Sequence, residues 1–312
     1  MKNISNRVKC FFSKYKKIKL SEISIKYYKG GFTDASKFII DDCFLKVADV
    51  ATHPVDAYLI ESEAKVYSIL HRLGLTGVIF PDFKGYINHD GIKVLIIDYL
   101  SQVTWGGPWN TKTIKFLDSA INKLHSTNLT DFDNKQIIAL ADSIQNHFIQ
   151  KVQCENERFL NTWDNQKLGF KNFKNAIYFK GNKNLPKQII QKATQTNPNV
   201  CKKLIMQDLN FANIGFSDNQ AFFVDPVYIT LGDPNFDKTV IGVNILQQTG
   251  DTINPKLRKL VIKKFFVSKP ILANLIKYYT IVSAMHLSSN ESNWQKFHQE
   301  CAVVALTVFN KL

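Results

Sequence analysis

The segment that most restricts what this chain can fold into runs from Leu204 to Asp225. Leu204-Ile205-Met206 is an apolar run that enters a loop. Asn213 to Phe216 leaves the loop as a short strand, Ser217-Asp218-Asn219-Gln220 reads as a turn, and Ala221 to Val224 reads as a buried strand ending at Asp225. Asp208 and Asn213 are separated by four residues. The hairpin then brings the Asn213 amide and the Asp225 carboxylate onto adjacent backbone segments.

Those residue types suit one kind of chemistry. Mg²⁺ prefers hard oxygen ligands and few protein groups, leaving other positions to phosphate and water. One amide oxygen and one carboxylate meet that demand. A second carboxylate left unliganded, Asp208, can accept a hydrogen bond from an attacking hydroxyl. An Asp-x4-Asn loop, a short hairpin and another Asp form the layout of kinase-type phosphoryl transfer. Asp and Asn are also ordinary turn residues, so the spacing by itself has a purely structural explanation.

The block resembles the aminoglycoside phosphotransferase and choline kinase-like superfamily, which usually reads His-Gly-Asp-x4-Asn, then a hydrophobic strand and Asp. Gly232-Asp233-Pro234-Asn235-Phe236-Asp237 is similar to that family's Gly-Asp-Pro-x-x-Asp segment, which opens the next helix. Three positions depart from the pattern. Met206 stands where the family has His, Gln207 where it has Gly, and Pro226 where Trp is frequent. That His normally braces the loop through hydrogen bonds. The resemblance implies an α+β, bilobal protein kinase-like fold, with a small antiparallel-sheet N-lobe carrying one helix and a larger, mostly helical C-lobe. It implies a nucleotide-binding lobe over residues 1–100 and a catalytic, acceptor-binding lobe over 101–312. Asp208 would be the base, Asn213 and Asp225 the Mg²⁺ ligands, and Asp237 a frame for the loop.

The first hundred residues read as strands around one helix. Ser24 to Tyr28, Ser36 to Ile40 and Cys43 to Val47 are strand candidates. The connection holding Gly30 and Gly31 is placed to lie over phosphates through backbone N–H groups, although hairpin turns use such pairs routinely. Lys46 sits in an apolar strand, where a lysine often lies at an edge with its tip in solvent. The kinase template places a lysine on the third strand, paired with a helix glutamate and touching the α/β-phosphates. Pro54 to Leu73 has helical apolar spacing and carries both Glu61 and Glu63. The family pattern Glu-Ala-x5-Leu matches Glu63, with Glu61 as the alternative. Tyr86-Ile87 and Lys93 to Ile97 form a further hairpin. The following Asp98-Tyr99-Leu100 is assigned, by the resemblance, to the adenine-binding connection.

Beyond residue 100 the pattern is helical apart from the catalytic block. Ile114 to His125, 131–165, 184–196, 237–248, 255–267, 270–287 and 292–309 carry helical periodicity. Trp105-Gly106-Gly107-Pro108-Trp109 resembles a Trp- and Pro-rich segment of one family branch; it either lines the acceptor pocket or packs the lobe junction. His125 reads as a hydrogen-bonded structural residue and not as a base.

The chain carries a net charge of +14. Lysines cluster at 14–19, 167–187 and 256–264, which raises a nucleic-acid reading. A solvated helix face explains the last cluster, and no recognition motif supports the nucleic-acid reading. The charge favours a neutral or anionic hydroxylated acceptor over a strongly cationic one. Five scattered cysteines without a C-x2-C pair point to a reducing compartment. With no secretory h-region and no membrane span, the expected setting is cytoplasmic. The expected activity is a Mg²⁺-dependent small-molecule kinase using ATP or GTP. The alternative is a kinase-like nucleotide-binding module of low or no turnover, which Met206 and Gln207 suggest.

Overall fold

The computed structural model describes residues 25–28, 35–143, 203–266 and 292–311, together with isolated positions elsewhere. Gly30 and Gly31, most of the 131–165 stretch, all of 184–196, most of 270–287 and the lysines at 14–19 and 167–187 lie outside the described residues.

Strands β1 (Lys26–Tyr27), β2 (Ser36–Ile40), β3 (Cys43–Asp49), β4 (Phe83–His89) and β5 (Ile92–Asp98) form one antiparallel sheet in the order β1-β2-β3-β5-β4. The β4–β5 hairpin closes over Asp90 and Gly91, both at positive φ, 51° and 71°. A two-residue turn of that kind matches the twist of the flanking strands. Alternation along β3 is strict. Cys43, Leu45 and Val47 join one buried cluster with Phe38, Ile40, Val94 and Ile96. Lys46 and Ala48 take the opposite face, the one on which the next helix lies.

That helix, α1 (Pro54–Arg72), begins with Pro54 in its first turn, where a missing N–H costs nothing. Ala57, Ile60, Ala64 and Tyr67 are buried at helical spacing, and α1 packs across β3 and β5. Glu63 lies on the same buried face. At its C-terminal end the Arg72 guanidinium binds Asp133 at 2.6 Å, tying α1 to a helix over 131–143.

The second region is mostly helical, with α2 (Thr111–His125), α3 (Pro234–Thr249), α4 (Pro255–Phe265) and α5 (Ser292–Lys311). α2 starts from a capping box in which the Asn110 side chain accepts from Thr113 N–H and the Thr113 hydroxyl accepts from Asn110 N–H. α3 starts from Asp233, whose carboxylate accepts the Asn235 N–H at 2.8 Å. Short strands sit between the sheet and these helices: β6 (Thr104–Trp105) beside β8 (Ile214–Phe216) and β9 (Ala221–Phe223), and β7 (Lys203–Ile205) beside β10 (Thr230–Gly232).

Several boundaries differ from expectation for identifiable reasons. Asn213 belongs to a tight helical turn, Phe211–Asn213, and not to the strand that follows it, because Asn210 caps that turn through the Ala212 N–H. β6 and β10 had no sequence signature; two- and three-residue strands carry too few positions for alternation to show. On α4, Lys256, Lys259 and Lys263 are exposed, and Lys264 pairs with Asp118 at 2.6 Å. This is the solvated face expected of that lysine cluster. The described Cys43 and Cys301 are buried and take part in no disulfide among the described residues. Among the described residues, no helix is long and apolar enough to cross a membrane.

Candidate active site

The sheet and the helical region are joined where residues 79–80 meet β9. The Phe223 N–H donates to the Ile79 carbonyl at 2.8 Å, and the Phe80 and Phe223 rings pack edge to face at 5.9 Å. Burying such side chains contributes roughly 2–3 kcal/mol each. Asp225 follows directly, in a left-handed backbone conformation at φ 55°. The hairpin register places Asn213 beside it: Val224 N–H donates to the Asn213 carbonyl at 3.0 Å.

Lys46 reaches this point from β3. Its ammonium donates to both Glu63 carboxylate oxygens at 2.9 Å and also bonds the Asp225 carboxylate. Burial by itself lowers the Lys46 pKa, but the Asp225 and Glu63 charges outweigh it and hold the ammonium above its ordinary range. Burial pushes the Glu63 carboxyl up to about 7, with Lys46 opposing. Glu61 points elsewhere, to Lys65 at 2.8 Å and to Lys93. Of the two candidate glutamates, Glu63 is the one that meets Lys46.

Asp208 lies in the loop after β7. Its carboxylate accepts from Asn210 Nδ2 at 2.9 Å and from Asn213 Nδ2 at 3.2 Å; its backbone carbonyl accepts from Asn213 Nδ2 at 2.9 Å. Burial raises the Asp208 pKa, with the two amides opposing and Asp225 adding to the rise. Because the Asn213 amide spends its N–H groups on Asp208, its Oδ1 has no donor among the described residues. The second Asp225 oxygen is likewise without a hydrogen-bond partner there. An amide oxygen and a carboxylate oxygen on neighbouring segments fit a hard dication that keeps water and phosphate as its other ligands. Among the described residues, no group of three or more His, Cys, Asp or Glu side chains forms a denser metal cage.

The loop's support comes from α3. Asp237 is fully buried and accepts three hydrogen bonds: from Met206 N–H at 2.8 Å, Gln207 N–H at 2.9 Å and the His125 ring at 3.1 Å. Asn244, about two turns further along the same face of α3, donates to the Leu209 carbonyl at 3.1 Å. Met206 itself is buried among apolar neighbours. The Asp208 N–H bonds the Met206 carbonyl at 2.8 Å, closing a three-residue turn whose central residue, Gln207, sits at φ 64°. That conformation explains why a glycine would be at ease there.

A cavity of about 600 Å³ opens in front of Lys46, Asn213 and Asp225. Its far wall is made by Ile97, Asp98, Tyr99, Leu100 and Val103. Asp208 and Glu63 do not line it; each sits one hydrogen bond behind a residue that does. The Tyr99 N–H is already used by the Asp42 carbonyl at 2.7 Å, whereas the Leu100 N–H has no acceptor among the described residues. Trp105 also lines the cavity, and its ring crosses Gly215 so closely that an added Cβ there would lie 2.7 Å from it. Trp109 instead packs edge-on against Phe216 at 5.5 Å and donates to Gln248. The aromatic segment therefore divides between cavity wall and packing. Lys37, Phe44, Gln248 and Phe211 also line it and were not singled out as site residues by the sequence. Lys37 is separated from Lys46 by a turn, so only the strand register reveals that the two are neighbours.

No protein-family model matches the chain, and no curated protein matches it by sequence. Solved structures do match. Spectinomycin phosphotransferase, solved with ADP and spectinomycin, superposes with a TM-score of 0.62 at 15% identity over 91% of this chain and 92% of that one. A choline kinase from Streptococcus pneumoniae superposes with a TM-score of 0.55 at 15% identity over 98% and 99% of the two chains. An aminoglycoside phosphotransferase gives 0.59 at 11% identity over 96% and 98%. The fold is thus the one shared by aminoglycoside phosphotransferases and choline kinases.

Proposed function

We propose that this chain is a small-molecule kinase that moves the γ-phosphoryl group of ATP or GTP to a hydroxyl of a small acceptor. The observation that carries this reading is the convergence of Lys46, Asn213 and Asp225 on one cavity, with Glu63 holding Lys46 from behind its wall, the four residues coming from four separate elements. Ion pairing alone does not require an amide with a free oxygen beside the lysine's second carboxylate. A Mg²⁺ site for phosphoryl transfer makes use of both.

Each residue then has a task. The apolar slot between Ile97, Val103 and Phe44 takes the base, with the Leu100 N–H as donor and the 98–100 backbone reading its edge. Lys46, oriented by Glu63, neutralises phosphate oxygens. Asn213 and Asp225 would hold Mg²⁺, which when bound spreads the charge that develops on the transferring group. Asp208 orients the acceptor hydroxyl and takes its proton. It stands behind the cavity wall, so the acceptor approaches from the helical side. The hinge near residue 100 divides a nucleotide-binding lobe, 1–100, from a catalytic and acceptor-binding lobe, 101–312. The basic balance of the chain favours a neutral or anionic acceptor, and a cytoplasmic supply of nucleotide and Mg²⁺ suits the reaction.

The competing reading, a nucleotide-binding module of little turnover, rests on Met206 and Gln207. The two backbone hydrogen bonds from Met206 and Gln207 to Asp237 weigh against it, since they brace the loop without a histidine at position 206.

Thermal unfolding with ATP or GTP, each with and without Mg²⁺, tests the proposal beside an Asp225→Ala variant. Nucleotide at a hundredfold excess over Kd stabilises the folded state by about 2.7 kcal/mol. A Mg²⁺-dependent shift that the variant loses is expected. No shift with either nucleotide would sink the proposal.

A further inference from the structure

β2 and β3 pair so that Lys37 stands directly opposite Lys46. Directly opposed side chains lie on the same face of a sheet with their Cβ atoms about 5 Å apart. Both lysines line the cavity, and both are almost fully buried, at 7% and 9% exposure. Two ammonium groups held this way repel each other, and burial adds to the cost. Burial and the Lys46 charge accordingly hold the Lys37 pKa below its ordinary value, while Asp225, Asp56 and Glu63 counter them.

A threonine or valine at this position would close the sheet without that cost. The arrangement does make sense for an anion that carries more charge than Lys46 alone can balance. With only protein groups present, Asp225, Asp56 and Glu63 counter the charge of the two lysines. Once Asp225 turns to a dication, part of that counter-charge is withdrawn from the lysines, and the cavity gains a demand for negative charge beside them. A polyphosphate chain supplies it; a nucleoside does not.

Building on the kinase reading, we infer that Lys37 is a second phosphate-binding lysine, which contacts the nucleotide's phosphate chain from β2 and makes the cavity selective for triphosphate over less phosphorylated nucleotides. Lys46 binds the phosphates while held by Glu63. Lys37 adds a contact from the neighbouring strand, on the same face.

The test is the affinity of ATP, ADP and adenosine, each with Mg²⁺, for the full chain and its Lys37→Met variant, measured by titration calorimetry. Methionine keeps the length of the stem and removes the charge. The expected result is a loss of about tenfold or more for ATP, the size of one charge-assisted contact, a smaller loss for ADP and none for adenosine. Lys37→Arg restores the ATP preference. If the methionine variant does not fold, Lys37→Gln repeats the measurement with a polar, uncharged tip. An equal loss for all three ligands would mean that Lys37 only supports the sheet, and unchanged ATP affinity would mean that it does not reach the phosphates. Either result overturns the inference while leaving the kinase reading intact. Absence of any nucleotide binding by the unaltered chain overturns both.

Discussion

The Asp237 carboxylate holds Gln207 by its backbone: the Gln207 N–H donates to Asp237 Oδ1 at 2.9 Å across thirty residues of chain. The other oxygen takes the Met206 N–H and the His125 ring. One carboxylate on the first turn of α3 therefore fixes the entry to the loop that carries Asp208. Its position follows from the Asp233 cap and Pro234, which set where α3 begins.

Replacing Asp237 should be among the most damaging changes in the chain. Asp237→Ala strands the Met206 and Gln207 N–H groups and the His125 ring around a buried position, which costs about 3 kcal/mol. Asp237→Asn keeps one acceptor but turns an NH2 group toward a donor, costing about 1–3 kcal/mol. Urea denaturation of both variants checks the order. An alanine variant as stable as the parent would show that the loop is held by other contacts.

The loop's two departures from the family pattern give opposite expectations. Met206 is fully buried in apolar surroundings, so Met206→His adds an imidazole with no partner and should lower stability by about 1–3 kcal/mol without raising turnover. Gln207 is exposed at φ 64°, so Gln207→Gly relieves backbone strain and should raise stability by about 0.5–1 kcal/mol. A large gain in turnover for Met206→His would mean that the Asp237 brace is insufficient.

Much of this was legible in the sequence, for uneven reasons. β2, β3, β5 and α1 stood out because each is long enough for its period to show and ends at Asp, Gly or Pro. The Asp208, Asn213 and Asp225 block stood out because its spacing is local. Lys37 did not, since nothing along the chain marks it; it becomes significant only through the register opposite Lys46. The Asp42 carbonyl that occupies the Tyr99 N–H was hidden for the same reason, being a contact across the sheet. Nor does the sequence reveal that Asp208 and Glu63 stand behind the cavity wall, because distance from a surface is a property of packing.

Glu61 and Glu63 lie two residues apart and offer an internal control. Glu63→Gln leaves the buried Lys46 ammonium with one charged partner and should cost about 3 kcal/mol, with turnover down about a hundredfold as the phosphate contact loosens. Glu61→Gln breaks contacts to Lys65 and Lys93 at a partly exposed site and should cost under about 1 kcal/mol, with turnover nearly unchanged. Paired measurements of stability and initial rate decide it. Equal effects from the two variants would remove Glu63 from the site.

Asp133 supplies the clearest pH dependence. Its carboxylate accepts from the Thr130 hydroxyl at 2.7 Å and N–H at 3.1 Å and pairs with Arg72; these contacts, the hydroxyl's first, hold its pKa below the ordinary value. A depressed folded-state pKa adds stability above the unfolded value, and this stability is lost as pH falls through the folded one. Asp133→Asn should therefore cost about 1 kcal/mol at pH 7, a modest figure because Arg72 is half-exposed and screened. The gap between variant and parent should close as the pH falls below the ordinary carboxylate range. A gap that persists in acid would assign the effect to packing.

Tyr67 presents the opposite situation, a buried polar group without compensation. It lies one turn beyond Glu63 on the same face of α1, fully buried, stacked on Phe83 at 6.2 Å and edge-on to Phe80 at 6.5 Å. Its hydroxyl has no hydrogen-bond partner among the described residues. Burial, together with the Glu63 and Asp225 charges, raises its pKa well above the ordinary value, so the hydroxyl stays neutral. Desolvating an unpaired hydroxyl costs about 1–3 kcal/mol, whereas the ring's packing does not depend on it. Tyr67→Phe should thus raise the denaturation midpoint by up to about 1 kcal/mol in equivalent stability at an unchanged m-value, and leave the Lys46–Glu63 pair and turnover as they are. A loss of stability instead would show that the hydroxyl binds a buried water next to Glu63, and a loss of turnover would extend the site one helical turn beyond Glu63.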